Sequence, residues 1–128
     1  MLGAMDAAQA IADLTEISPQ IREVAIVGAD GSLVGSNAPD SAAARLVSAA
    51  ANLVEEAERL RPSVAQLEAA TVNGSFFVVR DGSRLIAATT TPEPTVGLVF
   101  YDLKTCLRSI DVPKPSAGRK KEVDDAAA

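Results

Sequence analysis

Residues 64–90 read VAQLEAATVNGSFFVVRDGSRLIAATT. Two dipeptides, Asn73-Gly74 and Asp81-Gly82, divide this stretch into three runs that favour β-structure, each about one strand long. Asn-Gly and Asp-Gly between apolar runs are strong hairpin signals, because these residues tolerate the positive φ of a tight turn. The stretch therefore predicts a three-stranded antiparallel meander with strands at residues 64–72, 75–80 and 83–90.

The first two strands of the meander differ in the polarity of their faces. The middle strand contains Phe76-Phe77-Val78-Val79, which is apolar on both faces and so predicts a strand that is covered on both sides. In the first strand Gln66 and Glu68 alternate with apolar residues, a pattern typical of a strand at or near the edge of a sheet.

Upstream of the meander, helical and strand patterns alternate. Apolar spacings of three and four predict helices at residues 6–17, 40–61 and 96–110, which end before Pro19, Pro62 and Pro113. Between the first two helices, residues 24–27 and 33–34 flank Asp30-Gly31 and predict a hairpin. The long helix is expected to bury a stripe formed by Ala43, Leu46, Ala50, Leu53, Ala57 and Leu60.

The resulting order is helix, hairpin, helix, three-strand meander, helix. It predicts an α+β fold in which a five-stranded antiparallel sheet carries helices on its faces. We expect residues 1–112 to form one domain and the polar residues 113–128 to form a disordered tail.

Composition excludes several classes of function. The chain has 128 residues, a net charge of −5 and a pI of about 4.6, which argues against nucleic acid as a partner. It has no His and a single Cys, Cys106, so zinc sites, iron–sulfur clusters, Ser-His-Asp triads and Cys-His pairs are excluded by inventory. No signal peptide or membrane span is apparent. The sequence therefore predicts a cytoplasmic protein that is not an enzyme, needs no metal or cofactor and does not bind membranes.

The combined order of these features resembles the roadblock (dynein light-chain) domain family. The resemblance rests on Leu14 before Pro19 and Ile21, on the residues 24–27 leading to Asp30-Gly31, and on the small-residue helix, meander and final helix that follow. That helix is introduced by Pro94-Thr95-Val96-Gly97-Leu98. The match covers residues 6–110. Each motif is weak alone, and the specificity lies in their order.

The resemblance implies a profilin-like roadblock fold, a homodimer, and a role as a regulator or platform for small Ras-like GTPases, as in bacterial members. It also implies how the dimer forms: the third strand pairs with its twin, and the long helices lie side by side. In this sequence the strand residues at that interface are Gln66, Leu67, Glu68, Ala69 and Ala70.

The long helix also carries a second, independent strip of small residues beside its core stripe. This small-residue strip consists of Ala44, Val47, Ser48 and Ala51. Small side chains let two backbones approach closely. An exposed strip of this kind next to an unpaired strand is costly in a monomer and natural in a dimer with isologous contacts.

Several residues allow a catalytic or a structural interpretation. Glu55, Glu56 and Glu58 are interpreted as a solvated helix face rather than a metal or acid–base cluster, although their charge suits a basic patch on a partner. The predicted partner-binding residues are Glu55, Glu58 and Arg59. Cys106 is interpreted as a small buried hydrophobe, and no arginine is assigned a catalytic role.

These observations predict a non-enzymatic homodimeric adaptor that regulates or localises a small Ras-like GTPase. Two alternatives stay open: a scaffold for a signalling or motor complex without effect on GTP turnover, and a small-ligand sensor. The sensor is less favoured because a ligand pocket usually needs several polar anchors, and the predicted core is almost wholly aliphatic.

Overall fold

The computed structural model describes residues 6–110. Its helices are α1 (Ala7–Ile17), α2 (Asp40–Leu60) and α3 (Val96–Ser109). Its strands are β1 (Ile21–Val27), β2 (Leu33–Ser36), β3 (Gln66–Thr71), β4 (Gly74–Asp81) and β5 (Arg84–Thr90). The predicted order of elements is confirmed. The predicted domain limit at residue 112 and the predicted disordered tail lie outside the described residues.

The five strands form one antiparallel sheet in the order β2-β1-β5-β4-β3. Strands β3, β4 and β5 pair in sequence order as a meander. The last strand, β5, then pairs with the first strand, β1. β3 and β2 are therefore the two edges of the sheet. The edge position of β3 agrees with its alternating sequence.

Helices cover both faces of the sheet, as predicted. α1 and α3 lie on one face, where Leu14, Leu103 and Leu107 pack on Phe77 and Ile86 in a common core. The ring of Phe77 meets that of Phe100 edge to face at a centroid distance of 4.9 Å.

α2 covers the other face through a smaller core. Leu46, Ala50 and Val54 pack there against Val78 and Ala87. The two cores explain why β4 is apolar on both faces, since Phe77 and Val78 point to opposite sides of the sheet.

The predicted buried stripe of α2 is confirmed at its start and wrong at its end. Ala43, Leu46 and Ala50 are buried, and Leu53 and Ala57 are half-buried, with Leu53 packed on the same core. The next fully buried residue is Val54, which the stripe did not include, and Leu60 is 82% exposed. The predicted stripe followed a spacing near 3.5 residues, which drifts around a helix of 3.6 residues per turn. Near its end the helix is also held by an ion pair of Glu58, described below.

None of the helices within residues 6–110 is both long and apolar enough to cross a membrane.

Candidate interaction surface

The free edge of β3 presents backbone groups that no strand of the described chain pairs with. The Arg80 backbone N–H donates to the Ala65 carbonyl at 2.8 Å, and the register then pairs Gln66 with Val79. Because hydrogen-bonded pairs alternate along an antiparallel ladder, every second residue of β3 turns its amide away from β4. The residues with outward amides are Gln66, Glu68 and Ala70.

The side chains of β3 are incompletely covered on both faces. Leu67 and Ala69 are half-buried, and Leu67 packs against the core beneath α2. Gln66, Glu68 and Ala70 are exposed. Glu68 accepts a hydrogen bond from the Ser75 hydroxyl at 3.3 Å, which orients its carboxylate along the sheet. The five predicted strand residues thus lie together on one accessible edge.

The small-residue strip of α2 is also accessible. Ala44, Ser48 and Ala51 are exposed and Val47 is half-buried, all beside the stripe that packs on the sheet. The strip is not uniformly close to β3, however. Its first part lines a shallow groove with Asp40 and with Leu33, a residue of the opposite edge strand β2.

The C-terminal end of α2 is joined to the β3 side of the sheet. Glu58 accepts a hydrogen bond from the Arg80 side chain in β4 and another, at 3.2 Å, from the backbone N–H of Val64. The helix therefore passes from the β2 side at its start towards the β3–β4 side at its end. Within the small-residue strip, Ala44, Val47 and Ser48 border the β2 side, and Ala51 does not line the groove there.

The three predicted partner-binding residues differ in how accessible they are. Glu55 is exposed and has no hydrogen bond or ion pair among residues 6–110. Arg59 is exposed and its Nε lies 3.5 Å from a carboxylate oxygen of Glu56. The side chain of Glu58 is 34% exposed and is already engaged by Arg80.

The Glu58 contacts lead to a stability prediction. Glu58→Ala removes a part-buried ion pair and the acceptor of the Val64 amide, so we expect it to lower the free energy of unfolding by about 1 to 2 kcal/mol. Glu55→Ala on the same helix is the matched control and is expected to change it by no more than about 0.5 kcal/mol. Urea denaturation of both variants measures the difference; equal stabilities would contradict the proposed role of the pair.

Cys106 is buried on the α3 side of the molecule, as the sequence predicted. Its thiol donates to the Ala10 carbonyl at a distance of 3.6 Å. Burial raises the pKa of the Cys106 thiol to about 11, and the negative charge of Asp13 contributes in the same direction. The thiol is thus protonated at neutral pH, which is opposite to what a nucleophile requires. Within residues 6–110 there is no group of three or more metal-ligating side chains.

Two features of this surface were not predicted from the sequence. Arg80 and Glu58 are 22 positions apart, and nothing in either local sequence indicates their contact. The groove beside Leu33 depends on where the helix crosses the sheet. The sequence signal for the groove is weak: Leu33 begins a short apolar run after Asp30-Gly31, and only the structure shows that its side chain is 47% exposed at the sheet edge.

The geometry can be compared with solved structures. A roadblock/LC7 domain from Streptomyces avermitilis is 15% identical, with a TM-score of 0.70 over 83% of this chain and 93% of that chain. The chain has the roadblock fold. Myxococcus xanthus MglB is 17% identical, with a TM-score of 0.63 over 80% of this chain and 89% of that chain.

The profilin-like character of the roadblock fold is confirmed by a third structure. A chain in the LokiProfilin1/rabbit actin complex is 14% identical, with a TM-score of 0.58 over 83% of this chain and 96% of that chain. No protein-family model matches the sequence. No curated protein matches it either. At these identities the likeness establishes the fold, and the function has to be argued from the surface.

Proposed function

We propose that this roadblock-fold protein is a cytoplasmic, non-enzymatic homodimer that regulates or localises a small Ras-like GTPase by direct contact. The observation that carries the proposal is the unpaired edge of β3, with outward amides at alternate residues and half-covered apolar side chains between them. The resemblance to roadblock GTPase regulators supplies the partner class.

The dimer is proposed to form by antiparallel pairing of β3 with β3 of a second copy. Such pairing is isologous, so each outward donor of one protomer meets an acceptor of the other. It extends the sheet from five strands to ten and buries Leu67 and Ala69 more completely. An open edge of six residues is also a liability for aggregation, which a twin strand removes.

The two copies of α2 are proposed to contribute the rest of the interface. Ala51 is the member of the small-residue strip proposed for helix–helix contact, because it is exposed and does not line the groove beside Leu33. Ala44, Val47 and Ser48 lie closer to β2 and Leu33. We propose that these three residues extend the helix–helix contact in the dimer. We also propose that they border the surface that binds the GTPase.

The GTPase is proposed to bind across the paired helices, guided by charge. Glu55 offers an exposed carboxylate at the rim of this surface, and the chain as a whole is acidic. A basic patch on the partner would be attracted by this field, which raises the rate of association more than it raises affinity. Glu58 would act through its ion pair with Arg80, by fixing the end of the helix.

The experiment is a GTP hydrolysis and nucleotide-exchange assay on the small Ras-like GTPases of the same organism, beginning with any that is encoded next to this chain's gene. Saturating protein is expected to change one of the two rates. Glu55→Lys is expected to weaken the complex about fivefold. Glu16→Lys is the matched control, because it makes the same change in charge at an exposed position of α1, on the sheet face opposite α2, and Glu16 forms no ion pair within residues 6–110.

The assay also separates regulation from localisation. A GTPase that binds the protein but keeps both rates unchanged would restrict the proposed role to localisation. A GTPase that does not bind at saturating concentration would contradict the proposal.

A further inference from the structure

A groove between α1 and α3 lies on the sheet face opposite α2. It has a volume of about 140 Å³, and its walls are formed by Ala10, Leu14 and Ile17 from α1 and by Cys106 from α3. Ile17 is 71% exposed at the end of α1. The groove is therefore an apolar channel that the described part of the chain leaves open, and none of the proposed dimer or GTPase contacts uses it.

The rim of the groove is negatively charged. Asp13 of α1 and Asp102 of α3 both line it, and neither forms an ion pair with a cation of residues 6–110. Asp13 accepts a hydrogen bond from the Gln9 side-chain amide. Its negative charge also contributes to the raised pKa of the Cys106 thiol in the groove wall. α1 contains no Lys or Arg. Of the two cations of α3, Lys104 does not line the groove and Arg108 is paired with Asp81. An occupant that is apolar in part and carries cations would suit these walls.

We propose that this groove is the docking site for residues 111–121 of the same chain. These residues read DVPKPSAGRKK. The segment combines the small or apolar side chains of Val112, Pro113, Pro115 and Ala117 with the cations Lys114, Arg119, Lys120 and Lys121. It thus carries both features that the groove requires.

The segment also starts at the right place. α3 ends at Ser109, which itself lines the groove, so the chain leaves the helix at one end of the channel. From Ser109 to Asp102 is seven helical residues, or about 10 Å. The eight residues 111–118 span up to about 26 Å when extended, which is enough to turn back and bring Arg119 over both carboxylates.

Docking would bury the apolar side chain of Ile17 and pair Asp13 and Asp102 with cations. The groove lies on the sheet face opposite α2 and does not include β3, so docking can fail while dimerisation stands.

The test places a nitroxide spin label on Ser116→Cys in a Cys106→Ala background of the full chain and measures paramagnetic broadening of backbone amides. We expect strong broadening at Ile17 and Asp102 and none along α2. Asp13→Lys/Asp102→Lys is expected to lower the ratio of docked to free segment by roughly tenfold. The docked-to-free ratio is expected to recover when the charges of the segment are reversed as well, by adding Arg119→Glu, Lys120→Glu and Lys121→Glu to that variant.

A matched control, Glu23→Lys/Glu93→Lys, makes the same change in net charge at exposed positions outside the groove and is expected to leave the broadening intact. Thermal melting verifies that all variants are folded. Broadening that is unchanged by charge reversal in the groove would overturn the proposal. Broadening between labelled and isotope-enriched molecules in a mixed sample would also overturn it, since it would assign the occupant to a second copy.

Discussion

Glu68→Pro is expected to convert the dimer into a monomer while the protomer stays folded. The Glu68 amide points away from β4, so proline at this position removes a donor for the second copy but no bond of the β3–β4 ladder. Both protomers of an isologous pair lose the donor at once. We expect the dissociation constant to rise about 30- to 100-fold, which sedimentation equilibrium measures directly.

Glu68→Ala is the matched control for this variant. It removes the same carboxylate and the same hydrogen bond from Ser75, but it keeps the backbone N–H. The dimer is expected to survive in Glu68→Ala. Equal dissociation constants for the alanine and proline variants would show that the β3 edge does not carry the association.

Gly74→Ala is expected to be the most destabilising single-methyl substitution in the meander. Gly74 has a φ of +144°, and a Cβ at this position would overlap the carbonyl oxygen of Thr90 in β5. The strained backbone and the overlap act together, and we expect the free energy of unfolding to fall by about 3 to 5 kcal/mol. Thermal and urea denaturation measure this loss.

Gly82→Ala separates the two causes. Gly82 also has a positive φ, +66°, but a Cβ there meets nothing within 4 Å. It should therefore show the backbone cost alone, about 1 to 2 kcal/mol. If Gly74→Ala were no more harmful than Gly82→Ala, the close approach between the β3–β4 turn and β5 would be wrong. Because Gly74 begins β4 opposite Thr71, its substitution is also expected to disorder the end of β3 and weaken dimerisation.

The order of elements and the edge of the sheet could be predicted because their signals are local. The hairpin signals Asn73-Gly74 and Asp81-Gly82 predict the meander, although the two-residue loops themselves are Val72-Asn73 and Gly82-Ser83, one position from the predicted dipeptide in each case. The alternation around Glu68 indicates that one face of the first strand is polar. These features depend only on neighbouring residues and on the two-residue period of a strand.

The packing of α2 could be predicted only in part. Its first half follows the apolar spacing, whereas in its second half Val54 is the buried core residue and Leu53 is only half-buried. The end of the helix is also joined to β4 by the contact of Glu58 with Arg80, a residue that is distant in the sequence. No periodicity within a single element contains this information.

The groove between α1 and α3 could not be predicted from the sequence either. Asp13 and Asp102 are separated by 89 positions, and each alone has the pattern of an ordinary solvent-exposed acid. Their position on one rim arises because both helices lie on the same face of the sheet.

The central claim is that one copy of this chain leaves the β3 edge to be covered by a second copy. Multi-angle light scattering on the eluting full-length protein at micromolar concentration tests it most directly. A mass of twice 13.2 kDa is predicted. A mass of 13.2 kDa across that concentration range would contradict it, and the proposed GTPase-binding surface would lose its second half.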